Sequence, residues 1–206
     1  MIDLYTAGTS NGQRASVMLE ATGLPYRAHR IDLASGAQRS PEFLRLNPAG
    51  QIPVIVDHAG PGGKPLTLTQ SAAILLYLAE RSGRFLPSEP VRRAHTLEAF
   101  AQVMTDVAPA SSALFYMSKA TAEPNAEVMA YCRTRFLAML AQVDRRLARH
   151  PWLAGEEISI ADLALYPTVA GRKAILDEAP GLSDLRRWAQ TMALRPDVAR
   201  GMAVPG

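Results

Sequence analysis

The spacing of apolar residues changes period several times along residues 1–82. "IDLYT" reads as a short strand, and "GQRASVMLEATG" puts Val17, Met18 and Ala21 at helical spacing, with Gly23 as its stop. "PYRAHRIDL" alternates again and predicts a strand ending near Asp32 or Leu33. "SPEFLRLNP" opens on serine and proline, the chemistry of a helix N-terminus, and has to stop near Pro48. "IPVIVDH" is a β-branched run, "GPGGK" a turn cluster and "PLTLT" a second strand, so the pair reads as a hairpin. "QSAAILLYLAER" is apolar almost all round and predicts a buried helix. The order β-α-β-α-β-β-α implies a mixed four-stranded sheet, with one parallel pair from the first crossover and an antiparallel hairpin.

Beyond Gly83 the pattern loses its strands. "GRFLPSEP" is a connector, and helical patterns cover segments near 91–118, 126–149, 159–176 and 183–195. Phe136, Leu140, Val143 and Leu147 form one regular stripe. The expected organisation is a sheet domain at 1–82, a linker at 83–90 and an all-helical domain at 91–206.

Composition narrows the partners. The chain has 206 residues, 48% of them apolar, and a net charge of +3. Residues 1–81 carry seven Lys/Arg against six Asp/Glu, and 82–206 carry fifteen against thirteen. With neither part basic, nucleic acid is not an expected partner. No apolar run approaches the roughly 20 residues of a spanning helix, and the N-terminal residues do not read as a signal peptide. A cytoplasmic location without membrane attachment is therefore expected. Cys132 is the only cysteine, which excludes an internal disulfide, a CxxC redox motif and a thiol–metal cluster. The histidines His29, His58, His95 and His150 show no metal-ligand spacing, so surface or loop positions are expected and no metal is assigned. Asp57-His58 stands at a strand end and is read as incidental.

Three polar stretches carry candidate chemistry. "TAGTSNGQR" puts Thr9, Ser10 and Asn11 just ahead of the first helix, where hydroxyl and amide groups cap the helix or serve a ligand at its positive end. In "NPAGQIPVI", Pro53 stands at a strand start, where it has no ladder hydrogen bond to give. A cis Ile52–Pro53 bond would turn the Ile52 backbone outward as an edge for an extended peptide. "TQS" puts Gln70 and Ser71 at the start of the third helix, a cap and an anion site in one. In "SIADLALYP", Ser159 followed by Asp162 is a capping box, expected to be structural. Phe115, Tyr116, Met117 and Met104 suit either a core or a pocket wall.

Together, "NPAGQIPVIVD", "QSAAILLYLAE" and "SIADLALYP" on a β-α-β-α-β-β-α domain followed by helices resemble the cytosolic glutathione transferases over essentially the whole chain. "IDLYTAGTSNGQR" and "IDLASGAQRSPEFL" look most like the bacterial nu-class-like branch, whose members bind glutathione and reduce disulfide bonds. The resemblance implies a thioredoxin-like glutathione-binding domain, a helical C-terminal domain, a homodimer, and glutathione as cosubstrate for attack on a small electrophile or a disulfide. It assigns Ile52, before a cis Pro53, to the cysteinyl amide of glutathione, and Ser71 with Gln70 to the γ-glutamyl end. Gln38 and Gln51 fall to the glycyl end and neighbouring backbone. Many relatives carry an acid where Gln70 stands and lysine where Gln51 stands, so those two sites lack the usual salt bridges. Thr9 and Asn11 match the branch's thiol contacts, and Ser10 is the candidate by comparison with other branches. A non-catalytic interaction module of the same fold is the rival reading.

Overall fold

The computed structural model describes residues 1–120 and 122–206. Its contacts divide into two compact units, Met1–Leu86 with Ala193–Gly206, and Pro87–Met192. The first unit takes in a C-terminal segment that the sequence pattern leaves with the helical part.

The first unit is a four-stranded sheet in the order β2-β1-β3-β4, with β1 Ile2–Thr6, β2 Tyr26–Arg30, β3 Val54–Asp57 and β4 Leu66–Thr69. β1 and β2 run parallel, while β3 is antiparallel to both β1 and β4, as the element order implies. β2 ends at Arg30, short of the expected Asp32. There the Asp32 carboxylate accepts from the Ala34 and Ser35 amides at 3.0 and 3.3 Å and turns the chain. Helices α1 (Ser10–Thr22), α2 (Pro41–Leu46) and α3 (Ser71–Ser82) complete the domain. Ile2, Leu4, Val17, Met18, Ile55, Ile74, Leu75 and Leu78 are fully buried between sheet and helices.

The segment Ala193–Gly206 contains a further short helix, α10 (Pro196–Met202), that the periodicity does not announce. It docks on α1. The Ser16 hydroxyl donates to the Gly201 carbonyl at 2.7 Å, and Gln13 Nε2 donates to the Met202 carbonyl at 3.1 Å. A Cβ at Gly201 would lie 2.4 Å from Val17 Cα and 2.7 Å from Val17 N, so only glycine permits this approach. Alanine would gain about 1 kcal/mol in helix propensity and lose up to about 3 kcal/mol by overpacking against backbone. Gly201→Ala is therefore expected to destabilise the protein by about 1–2 kcal/mol, read as a lower urea midpoint; an unchanged midpoint would contradict this packing.

The second unit is helical: α4 (Pro90–Gln102), α5 (Ala108–Met117), α6 (Ala126–Leu147), α7 (Ile160–Gly171), α8 (Lys173–Glu178) and α9 (Ser183–Ala193). A widened π turn, Val103–Val107, joins α4 to α5 just before Pro109, whose missing N–H and bulky ring disfavour a regular turn there. The α6 stripe Phe136, Leu140, Val143 and Leu147 is buried as its spacing predicts. The segment expected as one helix at 159–176 breaks at Arg172, whose guanidinium donates to the Ser111 hydroxyl and carbonyl at 3.0 and 2.8 Å. Among the described residues no helix is long and apolar enough to cross a membrane.

Candidate functional site

Register brings the three polar stretches to one end of the sheet. Tyr5 of β1 pairs with Val54, and Val54 pairs with Thr69 of β4. The chain leaving β1 toward Thr9, the chain entering β3 through Ile52-Pro53, and the chain leaving β4 into Gln70-Ser71 therefore emerge at the same level.

At the first wall, α1 begins at Ser10, so Ser10 and Asn11 lie within its first turn and not ahead of it. Thr9 is the N-cap, its hydroxyl oxygen accepting from the Gly12 amide at 3.2 Å. That bond uses the oxygen as acceptor and leaves the hydroxyl hydrogen available to a ligand. Gly12 is required for the close seat of α1 on the end of β1, since a Cβ there would stand 2.2 Å from the Ala7 carbonyl oxygen and 2.4 Å from Thr6 Oγ1. The first turn of α1 holds no acidic residue to offset the positive helix end. Asn11 is exposed, and its side-chain oxygen accepts from Arg14 Nη1. Arg14 is only 2% exposed, and burial pulls its guanidinium down to about 10, still cationic at neutral pH.

At the second wall the Ile52–Pro53 peptide is cis. Pro53 is buried, and the Ile52 N–H and C=O form no hydrogen bond with the described residues. Asn47 shapes the approach: its amide donates to the Gln51 carbonyl at 2.7 Å and its oxygen accepts from the Ala49 amide at 3.1 Å. Gly50, at φ 63°, packs here against the short 3-10 turn Ala37–Arg39, since a Cβ on it would stand 3.2 Å from the Gln38 carbonyl oxygen. The Gln38 side-chain oxygen is buried without a hydrogen-bond partner, a costly state that a donor from a ligand would relieve. Gln51 is exposed.

At the third wall Gln70 takes the cap position of α3 with φ 67° and ψ 114°, and its side chain does not cap the helix. A non-glycine residue held there is strained, by about 1–3 kcal/mol, a state that clusters at ligand clamps. Ser71 is the first helical residue and is buried; its hydroxyl makes no hydrogen bond with the described residues. The start of α3 thus offers a hydroxyl and unpaired amides at a positive helix end.

Other candidates fall elsewhere. Asp57 and His58 do not act together. Asp57 is fully buried, receives the Tyr77 hydroxyl at 2.6 Å and pairs with Arg81 at 2.7 Å. His58 reaches the other side of the sheet to Asp3 (2.6 Å), which His29 also bonds (2.8 Å). His29 lies in β2, the strand that "PYRAHRIDL" predicts, half-buried and stacked on the Tyr5 ring. The two imidazoles hold the Asp3 carboxyl below its ordinary range. No group of His, Cys, Asp or Glu among the described residues could hold a metal ion. Phe115, Tyr116 and Met117 are exposed, so they are not core, while Met104 is half-buried in the π turn. Cys132 is buried within α6. Ser159 and Asp162 form the expected capping box, buried in the helical unit.

Arg14 is a site-forming residue that no motif announces, whereas Asn47 opens "NPAGQIPVI" and gains its role only in the structure. Arg14 left a signal: it lies on the stripe of Val17, Met18 and Ala21, where a charged residue is out of place unless it has polar work.

A thioredoxin-like sheet with a cis-proline edge and two helix N-termini at one end, together with a separate helical unit, defines a class of glutathione-handling proteins. Family models agree: residues 10–81 match the glutathione S-transferase N-terminal domain and residues 105–196 the C-terminal domain. The chain belongs to the glutathione S-transferase family. It is 37% identical to the disulfide-bond oxidoreductase YfcG of Escherichia coli, over 99% of this chain and 94% of that protein. A glutathione transferase family member from Pseudomonas fluorescens, solved with two glutathione molecules bound, superposes with a TM-score of 0.91 at 32% identity, covering 99% and 93% of the two chains. A glutathione transferase from Pseudomonas putida, solved with one glutathione disulfide per subunit, gives 0.90 at 34% identity, covering 100% and 92%.

Proposed function

We propose that this protein is a glutathione-dependent enzyme that ionises the glutathione thiol at the start of α1 and directs it at a disulfide or an electrophilic carbon. The observation that carries the reading is the convergence, by strand register, of the unpaired Ile52 backbone edge with the N-termini of α1 and α3. Glutathione is a tripeptide with two amides, two carboxylates, an amine and a thiol, and each wall offers a complement to part of it. The Ile52 N–H and C=O pair with the cysteinyl amide. The Ser71 hydroxyl and the first amides of α3 take the γ-glutamyl carboxylate, with the Gln70 side chain beside the amine. Gln38 and Gln51 stand at the glycyl end, where the buried Gln38 oxygen accepts a ligand N–H.

Bound glutathione supplies the reactive sulfur, which the chain's lone buried cysteine does not. An ordinary cysteine thiol has a pKa of about 8.5, so only a few per cent is ionised at neutral pH. The Thr9 hydroxyl, the Asn11 amide NH2 and the positive end of α1 each favour the charged form. Ser10, also in this first turn, is the alternative donor. Disulfide reduction is favoured by the relationship to an oxidoreductase of that activity, and conjugation by the relationship to transferases. A paired assay with glutathione, using hydroxyethyl disulfide and a chloronitroarene, separates the two. No turnover of either, with no calorimetric binding of millimolar glutathione, would leave only the interaction module.

Ser71→Ala removes a hydrogen bond to a charged group, worth about 1.5–3 kcal/mol, so the glutathione Kd is expected to rise roughly tenfold to a hundredfold. An unchanged Kd by calorimetry would remove Ser71 from the site. The same reading includes a homodimer, supported by the family resemblance and tested by sedimentation. It also places the protein in the cytoplasm, where glutathione keeps thiols reduced.

A further inference from the structure

The polar face of α1 explains the helix cap and the thiol donors, but not why an arginine is buried behind them. Arg14 sits one turn below Asn11, is 2% exposed, and donates through Nη1 to the Asn11 side-chain oxygen. A guanidinium has five N–H donors and no acceptor, so the atom of the Asn11 amide that faces it has to be the oxygen. The NH2 of the same amide is then left on the exposed side of the helix end. A free asparagine side chain would be indifferent between presenting oxygen or nitrogen to a ligand. Presenting oxygen to a thiolate would repel it.

We propose that Arg14 is a positioning residue for the thiol site: its buried guanidinium holds the Asn11 oxygen and so turns the Asn11 NH2 toward the glutathione sulfur. The energetic case is one of preorganisation, because a buried, charged partner fixes a surface amide that would otherwise rotate. Several charged groups on and around α1 have partners of their own. Glu20 pairs with Arg200 (2.7 Å) and Arg195 with Asp197 (2.6 Å), while Arg81 pairs with Asp57 (2.7 Å) and Asp3 is held by His29 and His58.

The inference rests on the assignment of Asn11 to the thiol, and the test separates the two. Thiolate absorbance of bound glutathione is titrated against pH in the wild type, Asn11→Ala, Arg14→Met, Arg14→Lys and the Asn11→Ala/Arg14→Met double variant. Binding of S-methylglutathione, which has no thiol to ionise, is measured alongside. Asn11→Ala and Arg14→Met are each expected to raise the thiol pKa by about 1 unit, and the double variant by no more than either alone. Arg14→Lys, a donor-only cation without the planar fork, is expected to raise it less. S-methylglutathione affinity should stay within about twofold of wild type throughout, a split that a merely structural loss does not produce.

If Asn11→Ala leaves the thiol pKa unmoved, the assignment of Asn11 itself fails. If Asn11→Ala raises it while every folded Arg14 variant leaves it in place, Arg14 has no positioning role. Additive shifts in the double variant also overturn the proposal, since Arg14 would then act by its charge alone. Should Arg14→Met not fold, the same cycle is run with Arg14→Lys in the wild-type and Asn11→Ala backgrounds, and its shift is expected to vanish in the latter.

Discussion

Asn11→Ala is expected to lower turnover with glutathione at pH 7 by about 3- to 10-fold, the loss of thiolate that a pKa rise of about 1 unit brings, with little change in the affinity for S-methylglutathione. The size follows from what the amide does. It is one of two side-chain donors offered to the sulfur, at the end of a helix that carries no acid in its first turn. Removing a preorganised donor from developing or resident negative charge costs about 2–4 kcal/mol where water is excluded and less where, as here, the side chain is exposed. The loss should shrink as pH rises. Above the thiol's ordinary value of about 8.5 the sulfur ionises without help, so the variant approaches wild type there. The check is a pH–rate profile of both proteins. A ratio that stays constant across pH would show that Asn11 binds the ligand but does not govern its ionisation.

Asp162→Ala is expected to destabilise the protein by about 3–5 kcal/mol, the largest loss predicted for any single substitution here. Asp162 is fully buried and accepts four bonds: from the Leu153 amide (3.0 Å), the Ser159 amide (2.9 Å), the Ser159 hydroxyl (3.0 Å) and Trp188 Nε1 (2.9 Å). Burial pushes its carboxyl above the ordinary range, and those four donors pull it back. Alanine would strand the Leu153, Ser159 and Trp188 N–H groups in the core, each at about 1–3 kcal/mol. Against a typical total stability of about 5–15 kcal/mol, that is enough to threaten folding at ordinary temperature. Asp162→Asn keeps one acceptor oxygen but turns an NH2 on donors, so it should fall between alanine and wild type. Denaturant unfolding orders the three; equal midpoints would show that the network contributes nothing net.

How far the sequence announces all this differs by element. The sheet and its helices are legible because period-2 and period-3.6 patterns alternate cleanly through residues 1–82. The α6 stripe and the Ser159–Asp162 box are legible because helix geometry is local. Helix α10 is not. It holds its place through one glycine, Gly201, against Val17, and through hydrogen bonds to α1 from residues far away in sequence. A contact that depends on the absence of a side chain leaves no periodic trace. The division of α7 from α8 likewise depends on Arg172 reaching Ser111, a tertiary event.

The site divides along the same line. Ile52-Pro53 and Gln70-Ser71 stand out because proline at a strand start and a polar pair before an apolar helix are local anomalies. The cis state of the proline bond and the left-handed Gln70 backbone are not visible in composition, and family resemblance supplied the first of them. The sequence pattern starts α1 at Gly12, two residues late, because "TSNG" has turn composition and only the Thr9 side chain bonded to the Gly12 amide marks the cap. An arginine in a mixed stretch is ordinarily solvated, so Arg14 carries no motif, but its place on the Val17–Met18 stripe points to burial. Asp3, His29 and His58 form their cluster across three separate segments, and no spacing rule connects them.

The physical step on which the proposed chemistry depends most is the acidification of the glutathione thiol by the N-terminus of α1. The most direct measurement is the thiolate absorbance of glutathione bound to the wild-type protein, titrated from pH 5 to 10. The expected midpoint lies at least about 2 units below the ordinary cysteine value of about 8.5, so that most of the bound thiol is ionised near neutral pH. A midpoint at or above the ordinary value, in a protein that binds glutathione, would contradict it.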